Sequence, residues 1–195
     1  MTQLVLASTS PYRKELIEKL GLPFIFQAPK CDEEALKGKI RDPIELASTL
    51  AQAKAQSLSQ PDNCVIGGDQ VVAFGSEILG KPLTFENAFA QLQKMQGSTH
   101  RLITSVHVIN KGQPHAILDV TEIEMRKLTS EQIEAYLKRD EPFDCAGSYK
   151  IEKSGLVLLK QVRSQDFSAI EGVPLIRLTQ LLSDLGYSIP GSFKA

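Results

Sequence analysis

The chain has 195 residues, 42% of them hydrophobic, and its 22 Lys and Arg residues nearly balance its 23 Asp and Glu residues. This composition is typical of a folded globular protein and argues against a disordered chain. The nearly neutral net charge disfavours a general nucleic-acid-binding protein, because such proteins carry a basic excess.

The sequence carries no signal for a membrane or for secretion. No apolar run approaches the roughly 20 residues needed to span a bilayer, and the N-terminal MTQLVLASTSP lacks the charge and apolar core of a signal peptide. The three cysteines are widely separated and the three histidines lack HExxH spacing, so we expect no disulfide framework or structural zinc site and interpret the histidines as structural or surface residues. We therefore expect a cytoplasmic protein with no membrane or nucleic-acid partner.

The first half of the chain alternates predicted strands and helices. A strand at residues 4–6 precedes a helix that begins at Pro11, is capped by Ser10 and ends near Gly21. The further predictions are a strand over 24–28, an acidic loop at 32–34, a helix over 43–58, one strand over 65–72 interrupted at 67–70, and a short strand at 77–79.

The second half is dominated by a predicted hairpin over residues 102–126, with its turn at 110–113. The predictions around it are a helix from Thr84 to Gly97, a helix over 130–138, strands near 151 and over 155–161, and a last helix from Pro174 that buries Leu175, Leu178, Leu182 and Leu185. This order predicts an α/β fold, or α+β, with a mixed sheet in two lobes around a cleft.

The turn between the first strand and the first helix is a candidate anion site. Backbone N–H groups at a helix N-terminus attract anions, and the Ser8, Thr9 and Ser10 hydroxyls and the Arg13 guanidinium would add donors. The alternative is a well-capped helix with a surface arginine. The chain contains no GxxxxGK[ST] phosphate-binding loop.

Asp69 is the second candidate, because an aspartate inside an apolar strand is costly unless it is paired, hydrogen-bonded or bound to a metal. Such a carboxylate could hold a divalent cation or accept a proton from an attacking water. Gly67 and Gly68 before it allow a bulge or the close approach of a ligand. The alternative is a bulge that leaves a solvated aspartate.

Three further charged residues are weaker candidates. Lys54 lies within the apolar stripe of its helix, so it either reaches a phosphate or, as the residue alone favours, extends along its stem to solvent. Lys81 follows a short strand, and a hairpin could bring it to the same end of the sheet as Asp69. Glu33 either adds a carboxylate to a metal site or belongs to an acidic surface loop.

Several segments together resemble the Maf family of nucleotide pyrophosphatases. They occur in the family's order between Leu4 and Leu182, which is nearly the whole chain. The matching segments are LVLASTSPYRKELIEKLG, LAQAKAQ, IGGDQVV, LGKPLT, EPFDCAGSYKIE and EGVPLIRLTQLL. The resemblance implies that residues 1–195 form a single domain, elongated and similar to the inosine triphosphate pyrophosphatases, in a family where dimers are common.

The resemblance also implies a reaction, in which water attacks an α–β phosphoanhydride with the help of Mg²⁺ or Mn²⁺. Asp69 matches the proton acceptor of the family and is expected near the metal, and Glu33 matches an acidic cleft residue. The residues that match the triphosphate-binding positions are Ser8, Arg13, Lys54 and Lys81.

Three positions are similar to those of the YceF branch, for which the implied substrate is 7-methyl-GTP. They are Tyr12, Gln70 and Glu152, where an aromatic ring can stack on a cationic base and a carboxylate can accept hydrogen bonds from the guanine edge. Position 12 is Tyr where Trp is expected in this branch, and Gly68 replaces a serine. The alternatives are a dTTP or UTP pyrophosphatase of the same family and a non-catalytic, nucleotide-sensing regulator of cell division.

Overall fold

The computed structural model describes residues 2–191, which form one seven-stranded mixed sheet with helices on both faces. The strands are β1 (Gln3–Ala7), β2 (Phe24–Gln27), β3 (Asn63–Phe74), β4 (Glu77–Leu79), β5 (Thr99–Asn110), β6 (Gln113–Met125) and β7 (Leu159–Arg163). Their order is β2-β1-β3-β5-β6-β7, and β4 pairs with β3 outside this path. The first three strands in this order are parallel and the remaining pairs are antiparallel.

Local capping sets most of the helix starts. The helices are α1 (Pro11–Glu18), α2 (Glu33–Lys37), α3 (Pro43–Gln56), α4 (Phe85–Met95), α5 (Ser130–Asp140) and α6 (Leu175–Asp184). Ser10 and Asp42 cap helices whose first residue is proline, and Thr129 forms a capping box with Gln132 at α5. The sequence therefore predicted the first residue of α1, α3 and α5 correctly.

Two apolar clusters pack on one face of the sheet, towards opposite ends of the long strands β3 and β5. Ile66 belongs to the cluster that packs on α1 and α6, whereas Val72 belongs to the cluster that packs on α4 and α5. Side chains two residues apart share a face of a strand, so Gly68 and Gln70 lie between the two clusters on the same face. This division of the core agrees with the predicted two-lobed α/β fold with a mixed sheet.

The other face of β3 is covered by α3, where Leu46 and Leu50 pack on Val71 and Ala73. The buried residues Leu178 and Leu182 of α6 face the core as predicted, and Leu175 and Leu185 pack at its margin. None of the helices within residues 2–191 is long and apolar enough to cross a membrane.

Four predictions differ from the structure. Strand β3 is continuous and its pairing with β5 has no register shift, so residues 67–70 do not interrupt it. Residues 33 and 34, expected in an acidic loop, instead begin α2 because the Asp32 side chain accepts the backbone N–H of Ala35. No strand forms near 151, and residues 155–158 form a 3₁₀ helix before β7, because Gly155 N–H closes a tight turn onto the Lys150 carbonyl.

Candidate active site

The candidate site lies where one edge of β3 has no partner strand. Strand β1 pairs with β3 as far as Ala7 opposite Gly67, and β4 pairs with the same edge only from Val72 onwards. Residues 68–71 of β3 therefore face a break in the sheet, which we call the strand gap. Both β1 and β4 run towards this gap and end there, so the loops that follow them reach its rim. Ligands of α/β proteins commonly bind beyond the carboxyl ends of parallel strands.

The loop after β1 brings Ser8 and Arg13 to the gap. Ser8 is buried, and its Oγ accepts the backbone N–H of Ser10 at 3.0 Å, which shapes the entry into α1. Arg13 projects from the first turn of α1, and its Nε donates to the Gly172 carbonyl at 3.2 Å. A Cβ at Gly68 would lie 3.6 Å from this Nε, so the guanidinium passes over β3 at the gap.

Asp69 points to the α3 face of the sheet, where it meets a buried lysine. The Nζ of Lys54 lies 2.7 Å from Oδ1 of Asp69 and 3.2 Å from Oε2 of Glu33. The Lys54 side chain is only 8% exposed, so its interpretation as a lysine extending to solvent is wrong. The alternative of a solvated Asp69 is also wrong, because this carboxylate is 13% exposed and paired. Burial of both partners makes this pair far less screened than a surface ion pair.

Gly67 allows α3 to approach close enough for this contact. A Cβ at Gly67 would lie 2.4 Å from the Ala51 carbonyl oxygen and 2.5 Å from the Ala55 nitrogen, which excludes any side chain there. Lys54 lies between these two helix positions and Asp69 lies two residues after Gly67, on the same face of the strand. The glycine thus serves a helix approach rather than the bulge or ligand approach expected from the sequence.

Lys81 lies just beyond β4, and its backbone is held on both sides by α4. The Gly80 carbonyl accepts from Nε2 of Gln91 at 3.1 Å, and the Pro82 carbonyl accepts from Nδ2 of Asn87 at 3.0 Å. The β3–β4 hairpin that was expected to bring Lys81 towards Asp69 is present, and Lys81 itself is exposed.

The cationic side chains at the gap differ in whether a carboxylate lies beside them. Within residues 2–191, no carboxylate lies within 4.0 Å of the side-chain nitrogens of Arg13 or Lys81, whereas Lys54 has two carboxylate partners. Two cations without a counter-ion beside an open strand edge attract an anionic ligand. Hydrogen-bond donors and acceptors next to such a ligand come from the group formed by Lys54, Asp69 and Glu33.

Gln70 points to the opposite face from Asp69, and its amide orientation is fixed. Its Nε2 donates to Oγ1 of Thr104 at 2.9 Å and to the carbonyls of Ala169 and Ile170 at 2.9 and 3.4 Å. Three acceptors around one end of the amide require the nitrogen there. The Oε1 atom, which has no partner within the described chain, is not buried and remains free to accept a hydrogen bond.

Tyr12 lies near a group of charges from the loop after α5. Partial burial raises the pKa of Tyr12, the nearby Lys150 ammonium opposes that effect, and the Glu152 and Asp144 carboxylates add to it. Lys150 is largely buried, and its Nζ lies 2.8 Å from Oδ1 of Asp144. Desolvation is the largest cause of the raised pKa of Glu152, with Glu171 and Glu15 adding to it and Lys150 opposing it. Tyr12 and Glu152, the aromatic and acidic residues expected to read the base, are therefore close enough for the Glu152 charge to affect the pKa of Tyr12.

A family model described as "Maf-like protein" matches residues 3–185 of this chain. The chain belongs to the Maf-like family. The match covers every element from β1 to α6, so the predicted family is confirmed.

Curated relatives of this Maf-like protein align over nearly its whole length. A protein from Bdellovibrio bacteriovorus is 50% identical over 93% of this chain and 96% of its own, and one from Thiobacillus denitrificans is 44% identical over 95% and 94%. A third, from Pseudomonas putida, is 39% identical over 97% of this chain and all of its own. Each is named "7-methyl-GTP pyrophosphatase". Among solved structures, a HAM1 protein from Coxiella burnetii is similar, with a TM-score of 0.48 and 16% identity over 94% of this chain and all of that chain.

The Maf-like site offers few protein ligands for a metal. Within residues 2–191, no group of three or more His, Cys, Asp or Glu residues is arranged to hold an ion. Asp69 and Glu33 nevertheless present carboxylates on either side of one ammonium. Mg²⁺ is commonly held by one or two carboxylates together with waters and substrate phosphates. The residues present therefore fit a metal that is bound jointly with a phosphorylated ligand.

Some residues of the Maf-like site were not singled out from the sequence. Lys150 and Asp144 entered only as part of the segment EPFDCAGSYKIE that resembles the family, and Asn87, Gln91 and Thr104 gave no signal at all. Their contacts join residues 5 to 65 positions apart, and local sequence patterns do not report the longer of these separations. The buried His100 bonds to Tyr149, and the buried His107 bonds to Ser48. Both therefore agree with the expectation that the histidines are structural or surface residues.

Proposed function

We propose that this chain is a nucleoside triphosphate pyrophosphatase that hydrolyses 7-methyl-GTP to 7-methyl-GMP and pyrophosphate. The observation that carries the proposal is the strand gap, where unneutralised Arg13 and Lys81 flank the Lys54, Asp69 and Glu33 group. The names of relatives 39–50% identical along nearly the whole chain support the choice of nucleotide.

The triphosphate would bind to donors from both rims of the gap. Arg13 can grip two phosphate oxygens with its remaining N–H groups while its Nε keeps the bond to Gly172. Lys81 would approach from the β4 side, and the Ser8 hydroxyl proton is available because its oxygen, rather than its proton, bonds to Ser10. These cations would offset the charge that gathers on the departing pyrophosphate.

Asp69 would act as the proton acceptor for the attacking water. The water oxygen forms a bond to phosphorus at the α–β anhydride, the bond to the bridging oxygen breaks, pyrophosphate leaves, and the water proton passes to the carboxylate. Lys54 holds the carboxylate oxygen Oδ1 at 2.7 Å, which leaves Oδ2 to orient the water. A divalent cation, Mg²⁺ or Mn²⁺, bound by Asp69 and Glu33 would polarise the phosphate and offset its charge.

The base would be read by three side chains at the other side of the gap. The free Oε1 of Gln70 and the carboxylate of Glu152 are acceptors, which complement the N–H groups on the guanine edge. The Tyr12 ring can stack on the base, and methylation at N7 gives that base a positive charge. Glu152 would favour this cation over neutral guanine.

The test is pyrophosphate release with Mg²⁺ or Mn²⁺ across 7-methyl-GTP, GTP, dTTP, UTP and CTP. Highest kcat/KM for 7-methyl-GTP, with activity lost in Asp69→Asn, is the expected result. Preference for dTTP or UTP would keep the enzyme class and overturn the base assignment. Tight nucleotide binding without pyrophosphate release from any of the five would favour the nucleotide-sensing regulator.

A further inference from the structure

The segment 166–172, between β7 and α6, supplies three backbone carbonyls to the candidate site. The carbonyls of Ala169 and Ile170 accept from the Gln70 amide, and the carbonyl of Gly172 accepts from Nε of Arg13. One segment thus contacts both a residue assigned to the base and a residue assigned to the triphosphate. Any shift of this segment would change the orientation of both side chains.

Two buried carboxylates determine where this segment lies. Asp119, on β6, accepts the backbone N–H of Asp166 at 3.1 Å with Oδ2 and the Ser164 hydroxyl at 3.0 Å with Oδ1. Asp166 in turn accepts the Ser168 hydroxyl at 2.5 Å with Oδ1 and the backbone N–H of Arg177 at 3.0 Å with Oδ2. Together they connect the start of the segment to β6 on one side and to the first turn of α6 on the other.

Burying these two carboxylates costs free energy. Each aspartate is only 1% exposed, and no side-chain nitrogen of a Lys, Arg or His among residues 2–191 lies within 4.0 Å of either carboxylate. Burying a charge without a counter-charge is costly, and only a full set of directed hydrogen bonds offsets that cost. Such a set fixes geometry more narrowly than apolar packing does.

Thr104 extends the network to the base side of the site. Its Oγ1 donates to the Ala169 carbonyl at 3.0 Å and accepts from the Gln70 amide at 2.9 Å. This completely buried hydroxyl therefore locks the amide to the segment. The orientation of Oε1 in Gln70 depends on the placement of the Thr104 hydroxyl and the two carbonyl oxygens. In a flipped amide, Oε1 would face these acceptor oxygens without a proton between them.

We propose that Asp119 and Asp166 are positioning residues that fix the segment 166–172, so that Gln70 presents its oxygen to the base and Arg13 is aimed at the triphosphate. The inference rests on the proposed function for its effect on catalysis. The placement of the Gln70 amide by the carbonyls of this segment does not depend on the proposed function.

The kinetic test compares Asp166→Asn and Asp119→Asn with the matched control Asp62→Asn, at an exposed position. We expect each buried variant to lower the preference for 7-methyl-GTP over CTP, whose ring nitrogen accepts rather than donates a hydrogen bond, by about 10-fold, in line with the loss of one directed hydrogen bond, and Asp62→Asn to leave it unchanged. In a Gln70→Ala background, Asp166→Asn should cause no further loss of preference. An equal loss in both backgrounds, or a wild-type preference in both buried variants, would overturn the proposal.

A second variant covers the case in which the aspartate variants do not fold. Ser168→Ala removes a single hydroxyl donor to Asp166 and is expected to lower the preference about 3-fold, with the far-UV circular dichroism spectrum of the wild type. A folded Ser168→Ala with unchanged preference, together with unfolded aspartate variants, would mean that the network serves stability alone.

A measurement without substrate separates this inference from the proposed function. Hydrogen exchange of the Gln70 side-chain amide, identified by its absence from the NMR spectrum of Gln70→Ala, should be at least about 10-fold faster in Asp166→Asn or Ser168→Ala than in wild type. Unchanged exchange would overturn the positioning role even in an active enzyme. Faster exchange in a protein without pyrophosphatase activity would keep the positioning role and reject the proposed function.

Discussion

The ammonium of Lys54 lies 2.7 Å from the carboxylate of Asp69, in a pair that is almost fully buried between α3 and β3. The same ammonium reaches Glu33 of α2 at 3.2 Å. One lysine therefore joins the helix layer to the strand that forms the edge of the gap, and it brings together the two carboxylates that we propose as metal ligands. This relationship organises the candidate site.

Replacing Asp69 by Asn is expected to lower kcat by about 100-fold to 10,000-fold, because an amide cannot accept the water proton. Lys54→Met should cause a loss of at least about 100-fold, since it leaves the Asp69 and Glu33 carboxylates without their shared partner. Both would be measured as pyrophosphate release from 7-methyl-GTP. Near-normal turnover in folded Asp69→Asn would remove this residue from its proposed role.

Gly67→Ala should destabilise the protein by about 1–3 kcal/mol, because its Cβ would overlap the α3 backbone at 2.4 Å and push the helix away. The displacement should also separate Lys54 from Asp69 and lower activity. Gly68→Ala is the matched control, since its nearest neighbour would lie at an ordinary 3.6 Å. Urea unfolding of both variants checks the prediction, which fails if the two midpoints shift equally.

Stability should fall as the pH falls from 6.5 towards 4. Burial lowers the pKa of His100 from 6.5 to about 4 in the folded protein, so protonation favours the unfolded state throughout that interval. The corresponding loss is at most about 3 kcal/mol. His100→Gln should flatten the decline in unfolding free energy, whereas His115→Gln, at a half-buried position, should not. Parallel declines in wild type and His100→Gln would contradict this assignment.

Glu152→Gln should reduce the preference for 7-methyl-GTP over GTP, because an amide attracts the cationic base less strongly than a carboxylate does. Desolvation by the surrounding protein raises the pKa of Glu152, although the residue as a whole is exposed, so the wild-type preference should also decline as the pH falls through that raised value, while the variant's preference stays flat. The ratio of kcat/KM for the two nucleotides between about pH 4 and about pH 8 measures both effects, because this range begins near the ordinary glutamate pKa and extends above it. Exposed Glu122→Gln is the control.

Gln91→Ala should raise the KM for the nucleotide about 5-fold to 10-fold. It removes the hydrogen bond to the Gly80 carbonyl, which holds the backbone beside Lys81, together with the one that Gln91 accepts from the Ser148 hydroxyl. Exposed Gln93→Ala on the same helix should leave KM unchanged. The effect should disappear in a Lys81→Ala background, because the Gln91 side chain affects nucleotide binding only by holding the Lys81 ammonium in place. Steady-state kinetics on the wild type, Gln91→Ala, Lys81→Ala and the double variant would reject the role of Gln91 if the two losses simply add.

Local signals accounted for much of the fold. The starts of α1, α3 and α5 were predicted correctly because each depends on a side chain (Ser10, Asp42 or Thr129) that bonds within three residues of itself. The short acidic helix α2 was missed, since a five-residue helix leaves little periodicity to detect. The strand predicted near 151 was wrong because tight turns around Lys150 and Gly155 replaced it.

The sequence by itself determined that Asp69 needs a partner, because a charge inside an apolar strand is costly wherever that strand lies. It also identified the family, through segments spread along the chain. Only the tertiary structure decided that the partner is Lys54, that Gly67 admits a helix rather than a ligand, and that a gap opens between β1 and β4. These facts depend on the register of strands and on contacts between residues far apart in sequence, which no local pattern encodes.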